Sequence, residues 1–331
     1  MTLLRNSSSV ILKNVAKLIN EKLPAERQKL VEDFASRLFE NMASEDLDRR
    51  IDVDLYGASL SLFNAFNEAF EDEPVIRVFN PELGADGWQS EHTIVQIVVN
   101  DLPFLVDSVR MALNRLSITS HLLLHTPVKV NRDKSGQVTE FIDLKAGTGT
   151  HQQTVFLIEI DRQGDKKQLS SLTKELASVL DDVGIAVQDW KPIQEKLAAC
   201  INEVKKSKVS NKENLKTSLA FLDWIADHNF TLMGYREYAV SAVKGDTLVQ
   251  GIDDTSLGLM KNRPSTDRLL SELSHTGRAE ALSDNLLVLT KTNSQSRVHR
   301  PAYLDYIGIK KLDVQGNVIG EYRFVGLYAA S

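Results

Sequence analysis

Two hydrophobic rhythms divide the chain. From residue 8 to about 70, apolar residues recur every three or four positions, the spacing of helices with one buried face. Val10, Ile11, Val15, Leu18 and Ile19 form a first stripe. Pro24 suits the start of a second helix, which carries Leu30, Val31, Phe34, Leu38 and Phe39. A third opens near Ser44 with Glu45 and Asp46 in its first turn, and a fourth bears Leu55, Leu62, Phe63, Phe66 and Phe70. Pro74, Pro81, Gly84 and Gly87 then interrupt the pattern around a short strand, Val75 to Phe79.

Beyond residue 92 the rhythm changes. Thr93 to Val99 is β-branched nearly throughout and predicts a buried strand. Asn100-Asp101-Leu102-Pro103 supplies a side chain able to cap backbone N–H groups and a proline suited to a first helical turn, so a helix opens near Pro103. Val106, Val109, Leu113 and Leu116 give that helix its apolar face. Ile118 to Val130 returns to strand composition, followed by a turn at Asp133-Lys134-Ser135-Gly136 and a glycine-rich connection, Gly147-Thr148-Gly149. Val155 to Ile160 predicts a third strand. Leu169, Leu172, Leu176, Val179, Leu180 and Val183 predict a helix ended by Gly184, and Ile185 to Trp190 a fourth strand. The order is βαββαβ, a ferredoxin-like antiparallel sheet with both helices on one face.

Residues 192–227 return to helix, with Lys205-Lys206-Ser207-Lys208 read as a linker. A hairpin turning at Lys244-Gly245-Asp246 follows, then a helical stretch with Leu269, Leu270 and Leu273. Three more strands lie at Leu286 to Thr292, Tyr303 to Leu312 and Val318 to Tyr328, the last two joined by Asp313-Val314-Gln315-Gly316-Asn317. Two strands, a helical insert and three strands is the order of parts in a PAS-type fold. The expected class is therefore α+β, with a helical segment at 1–72, a βαββαβ domain at 73–191, a helical linker at 192–227 and a PAS-like antiparallel-sheet domain at 228–331.

At 331 residues the chain suits two or three domains, and 42% hydrophobic with 25% charged residues is ordinary for a globular protein. A formal net charge of −6 argues against nucleic acid as a partner, which needs a basic stripe. No apolar run approaches the ~20 residues of a membrane span, and no signal-peptide core is seen near Met1. The single cysteine, Cys200, excludes internal disulfides and thiolate metal clusters. A cytoplasmic location is the expectation.

Candidate chemistry is sparse. Gly147-Thr148-Gly149 lacks the third glycine of a dinucleotide fingerprint and precedes a strand rather than a helix, so it reads as a loop. His121 and His125, four residues apart on a strand, stand roughly 13 Å apart, too far for one metal ion. For Asp101 and Asp107, a cap and a solvated helix face are favoured over an acid/base pair. Arg297-Val298-His299-Arg300-Pro301 is a candidate anion loop through Arg297, His299 and Arg300, against the simpler reading of a solvated loop. Phe221, Trp224, Phe230 and Tyr235 read as core rather than as the wall of a ligand cavity. No catalytic, metal or cofactor residue is assigned.

At the strand-to-helix corner, Asp101-Leu102-Pro103-Phe104-Leu105 resembles the Asp-x-Pro-Gly-Leu pattern of ACT domains, the sensing modules appended to many enzymes of amino-acid metabolism. Asn100, Asp101, Leu102, Pro103 and Phe104 are thus a candidate effector or interface corner. Phe104 stands where the family usually has glycine, and its side chain would occupy the space a ligand needs to approach the backbone. More widely, Pro74 to Pro81, His92 to Val109, Phe230 to Tyr238 and His299 to Gly308 resemble the N-terminal region of the large bacterial NAD-specific glutamate dehydrogenases. The resemblance runs from about Leu47 to Tyr328. It implies a non-catalytic regulatory and assembly region, with the remainder of the parent polypeptide as partner, a homo-oligomer, and NAD as cofactor of the parent rather than of this region. Two alternatives stand beside it: a ligand-sensing module with a small-molecule effector, and a purely structural oligomerisation region.

Overall fold

A computed structural model of the chain describes residues 9–68, 73–147, 151–207, 209, 211–265, 267–283 and 285–329. Phe70, Thr148, Gly149 and Lys208 lie outside the described residues. The chain forms two compact units, one up to Leu180 and one from Asp181.

The first unit begins with four helices, α1 (Val10–Lys22), α2 (Ala25–Phe39), α3 (Ser44–Asp48) and α4 (Asp52–Glu68). Ser9 caps α1 by accepting the Leu12 N–H, and Leu12, Val15, Ala16 and Ile19 form its buried face. Val10 is 69% exposed, so the stripe read from sequence is rotated from the true face. Phe34 of α2 packs edge-on to Phe63 and stacks on Phe66, both from α4.

The sheet follows, with β1 (Val75–Phe79), the short α5 (Leu83–Asp86), β2 (Thr93–Asn100), α6 (Leu105–Arg115), β3 (Ser120–Arg132), β4 (Val138–Ile142), β5 (His151–Ile160) and α7 (Lys166–Gln188). Its order is β1-β2-β5-β3-β4, antiparallel throughout. β5 is buried on both sides, as the pleat requires of a central strand. Val155 and Leu157 join Ile94, Val98, Val128 and Val130 in one core with α1, α2 and α4. Phe156, Ile158 and Ile160, on the opposite face, are fully buried too. That core contains no residue of α6 or α7, in which Val109, Leu113, Leu172 and Leu176 are buried, and Arg115 of α6 pairs with Glu175 of α7.

Three expectations are corrected. Ile185 to Trp190 is not a strand: α7 continues through Gly184 to Gln188, and α8 (Trp190–Lys206) starts one residue after Asp189. Gly184 is absent from the positive-φ glycines, and without a left-handed residue there is no Schellman-type stop. The sheet edge beside β2, where the fourth strand was expected, is held by β1, with Val75 opposite Val98. Second, Lys205 and Lys206 are the last turn of α8 rather than a linker, well placed for basic side chains beside terminal carbonyls. Third, the helical stretch expected around Leu269, Leu270 and Leu273 is broken up: Leu269 ends a two-residue strand, Leu270 opens a single 3-10 turn to Glu272, and the α-helix that follows, His275–Leu282, begins only after Leu273.

The second unit continues with α9 (Lys212–Trp224), a π-turn at Ile225–Asn229, β6 (Phe230–Val243), β7 (Asp246–Gly258), β8 (Arg268–Leu269), α10 (His275–Leu282), β9 (Leu287–Gln295), β10 (Tyr303–Leu312) and β11 (Val318–Tyr328). These strands form an antiparallel sheet of order β8-β7-β6-β11-β10-β9. Lys244 and Gly245 both have positive φ, the geometry of a two-residue hairpin turn matched to strand twist. Ile193, Leu197, Cys200, Ile201 and Val204 of α8, at helical spacing, pack with Tyr235, Ile307, Ile309, Tyr322 and Phe324. Tyr235 and Phe230 are core, whereas Trp224 is 46% exposed and stacks among Phe221 and Tyr328.

Candidate functional site

The corner between β2 and α6 is built by a residue that departs from local rules. Phe104 has φ of 72°, in the left-handed region, and occupies the N-cap position of α6. A non-glycine residue there costs about 1–2 kcal/mol relative to right-handed backbone. The corner thus keeps the conformation that glycine takes most readily, while carrying a ring. Pro103 precedes the helix instead of opening it, and Asp101 does not cap it. Asp101 instead ties the corner to β5: its Oδ1 accepts from Thr154 Oγ1 at 2.5 Å, its Oδ2 from Gln152 Nε2 at 2.7 Å, and its N–H donates to the Gln152 carbonyl. Asp107 is exposed in the first turn, where a carboxylate favours the helix dipole. Asp101, Phe104, Asp107, His125, Pro127 and Thr154 surround a pocket of about 250 Å³, small for a metabolite.

The two histidines separate. His125 faces this pocket, whereas His121 bonds Asp161 Oδ1 at 2.8 Å and stacks on His92 at 4.2 Å. Hydrogen bonds from Thr119 and His121 hold the Asp161 carboxyl below the usual carboxylate range. Among the described residues, no cluster of three or more His, Cys, Asp or Glu has metal-binding geometry.

In the second unit the candidate anion loop is engaged by its own chain. Arg297 pairs with Asp182 at 3.0 Å, and Arg300 Nη2 donates to the Tyr328 carbonyl while its Nε stays buried without a hydrogen-bond partner. His299 turns the chain with φ of 72°. A second polar group, not foreseen from the sequence, lies between α8 and the sheet. Glu237 accepts from Tyr235 Oη at 2.9 Å and faces Lys196 at 3.4 Å and Lys311 at 3.6 Å, while Tyr322 Oη donates to Glu203 at 2.6 Å. Burial opposes the charge on Glu237, but the Tyr235 hydroxyl and the two ammonium groups outweigh it and hold its carboxyl below the ordinary value. Tyr235 and Glu237 stand at i and i+2 on β6 and so share a face, but the lysines that meet Glu237 come from α8 and β10, so the group is visible only once those elements are packed together.

Comparison with known proteins places this architecture. The family described as glutamate dehydrogenase, ACT1 domain, matches residues 34–176, from within α2 to within α7. NAD-specific glutamate dehydrogenase of Pseudomonas aeruginosa is 35% identical over 90% of the chain, and that of Halomonas elongata 32% over 97%. The chain matches the N-terminal, ACT1-domain part of the large NAD-specific glutamate dehydrogenases. It spans 19% and 20% of the length of those two relatives. The Mycobacterium tuberculosis NAD-specific glutamate dehydrogenase is more distant, 26% identical over 72% of the chain and 14% of its own length. The ACT1 match takes in α4 and the C-terminal part of α2, from Phe34, as well as the sheet, in keeping with the single core that those helices and the sheet share. Among the described residues, no helix is long and apolar enough to cross a membrane.

A larger cavity lies elsewhere in the first unit and was missed in the sequence. About 620 Å³ in volume, it opens between the start of α4, the loop before β2 and the far end of β5, and its buried acid is Glu159. The available signal was a glutamate at the end of an otherwise apolar run, Val155 to Ile160.

Proposed function

We propose that this chain is a non-catalytic regulatory and assembly region of an NAD-dependent glutamate dehydrogenase, whose parent reaction converts L-glutamate and NAD to 2-oxoglutarate, ammonium and NADH. The observation that carries the reading is the ACT1 match at 34–176 in a chain that spans a fifth of its relatives' length. The second unit is PAS-like in this reading: counting its main strands from β6, their order β7-β6-β11-β10-β9 is 2-1-5-4-3, the order of such sensors. Fold alone carries no ligand. Phe104 favours packing or assembly over effector binding at the corner, because its ring takes part of a pocket already near the lower limit for a metabolite.

The test is a spectrophotometric assay of NAD reduction with glutamate, run on the purified chain and on the same chain combined with the rest of the polypeptide. Activity is expected only in the combination. Reduction of NAD by the chain alone would sink the non-catalytic reading. Light scattering of the chain then separates assembly from isolated function, since a strict monomer opposes self-association.

A further inference from the structure

Two of the three tryptophans stand on the surface of the second unit. Trp190 is 42% exposed and Trp224 46%, whereas Trp88 is buried. Trp190, at the start of α8, borders a groove that it shares with the π-turn directly after Trp224. Buried Leu197 and Phe230 lie at the bottom of the groove, and exposed Ala198 and Ala226 at its rim. Among the described residues, no Asp, Glu, Lys or Arg lines it. Its volume is about 200 Å³, room for one large apolar side chain, since an apolar cavity of about 150 Å³ holds benzene. The wall is set in advance. Asn229 Nδ2 closes the π-turn by donating to the Trp224 and Asp227 carbonyls at 2.9 and 3.0 Å. His228 stands in that turn with φ of 59°, a strained backbone of the kind that gathers at ligand clamps. A wall fixed before binding avoids the ordering cost that a flexible one carries.

The path of the chain selects the occupant. β11 runs to the groove: Tyr328 pairs with Phe230, its ring lies against Phe221, Trp224 and Phe230, and the Ala329 N–H donates to the Asn229 carbonyl at 2.9 Å. The matched region is only 20% and 19% of the length of the two nearer relatives, so most of their polypeptide lies beyond it. At about 3.3–3.6 Å per extended residue, a polypeptide leaving β11 passes the groove within a few residues. We propose that the groove receives an apolar side chain of the polypeptide that follows this region in the parent dehydrogenase, and that the same segment covers Trp190 and Trp224. Tryptophans set around a desolvated pocket are the usual anchors of an interface. A second copy would have to arrive from solution, whereas the following segment is tethered beside the groove at a high effective concentration. The inference rests on the parentage proposed above and adds the partner surface.

The experiment compares the 331-residue chain with the full-length parent polypeptide by hydroxyl-radical labelling, with Trp190 and Trp224 read by mass spectrometry. Both should be labelled roughly tenfold more slowly in the full-length polypeptide, because the residues around an interface anchor exclude water. Ala198→Arg, at the exposed rim, should return Trp190 to the rate seen in the 331-residue chain. A photo-crosslinking amino acid in place of Ala198 then identifies the occupant, and an equimolar mixture of unlabelled and isotopically labelled parent separates links within one copy from links between two. Links to residues that follow this region in the same copy are expected. Equal labelling of chain and parent overturns the proposal, as do links only to a second copy or only within this region. Reduction of NAD by the full-length polypeptide tests the parentage separately. An active polypeptide with Trp190 still open loses the docking site alone; an inactive one with Trp190 protected keeps the docking site and loses the dehydrogenase reading.

Discussion

Asp189 Oδ2 accepts the backbone N–H of Gly258 at 2.7 Å, and the same oxygen pairs with Lys261 Nζ at 2.7 Å. Asp189 sits between α7 and α8, nearly buried, and so locks the end of β7 to the helix junction. Asp189→Ala leaves a buried N–H unsatisfied and should cost about 1–3 kcal/mol in urea unfolding, while Asp189→Asn, which keeps an acceptor, should cost less. Equal losses for the two would show that the acceptor is not the working group.

This junction is also where the sequence was hardest to read. Ile185, Val187 and the neighbouring Val183 have strand composition, yet Val183, Ala186 and Ile193 are the buried positions, a helical spacing that becomes visible only when read across Asp189. Local propensity yielded to continuity of the buried stripe. The turns were legible because their chemistry is local: Asp133 and Asp313 each accept backbone N–H groups two and four residues on, with Gly136 and Gly316 at positive φ. Among the site residues, Phe104 could be placed at the corner from its neighbours, but its left-handed backbone could not. Glu159 looked like the polar end of a strand because nothing local reports which face is buried.

Phe104 offers a test of stored strain. Phe104→Ala removes the ring and keeps the unfavourable φ, whereas Phe104→Gly removes both ring and strain. Glycine should therefore be the more stable of the two by about 1 kcal/mol, reversing the usual helix-propensity order. Thermal unfolding of the pair measures it. An alanine variant as stable as glycine would mean that the corner relaxes to another conformation.

Arg132 closes the C-terminal end of α4. Its guanidinium donates to the carbonyls of Phe66, Asn67 and Gly136 and to Gln153 Oε1, and lies over the Phe66 ring. Helix-terminal carbonyls need such donors. Arg132→Met should cost about 3 kcal/mol, since several charge-assisted bonds are lost at once and buried carbonyls are left without donors. Denaturant unfolding monitored through Trp88 emission, in a background where Trp190 and Trp224 are replaced by phenylalanine, reports on this unit. A loss within 0.5 kcal/mol, roughly the scale of surface substitutions, would refute the capping role.

Glu237 gives the second unit an acid-sensitive term. Its folded-state carboxyl is held below the ordinary value, so it contributes stability that is fully present above the unfolded pKa of about 4.3 and is lost as pH falls through the lower folded value. Urea midpoints measured from about pH 6 down to about pH 3 should fall more steeply in the parent chain than in Glu237→Gln. Parallel curves would assign the acid response to other carboxylates.

Cys200 should be chemically silent until the second unit opens. Burial, with the nearby charges of Glu203 and Glu237, pushes its thiol up to about 12. At pH 8 the thiolate fraction is then about one part in ten thousand, against roughly a quarter for a free cysteine, and the thiolate is the reactive form. Its side chain is packed in the core between α8 and the sheet, which also denies a reagent access. Iodoacetamide at pH 8 should modify the native chain only at the rate at which this unit opens, and rapidly in urea. Because labelling reads that opening, Asp189→Ala should accelerate it while Arg132→Met, in the other unit, leaves it unchanged; acceleration by both would mean that the two units unfold as one.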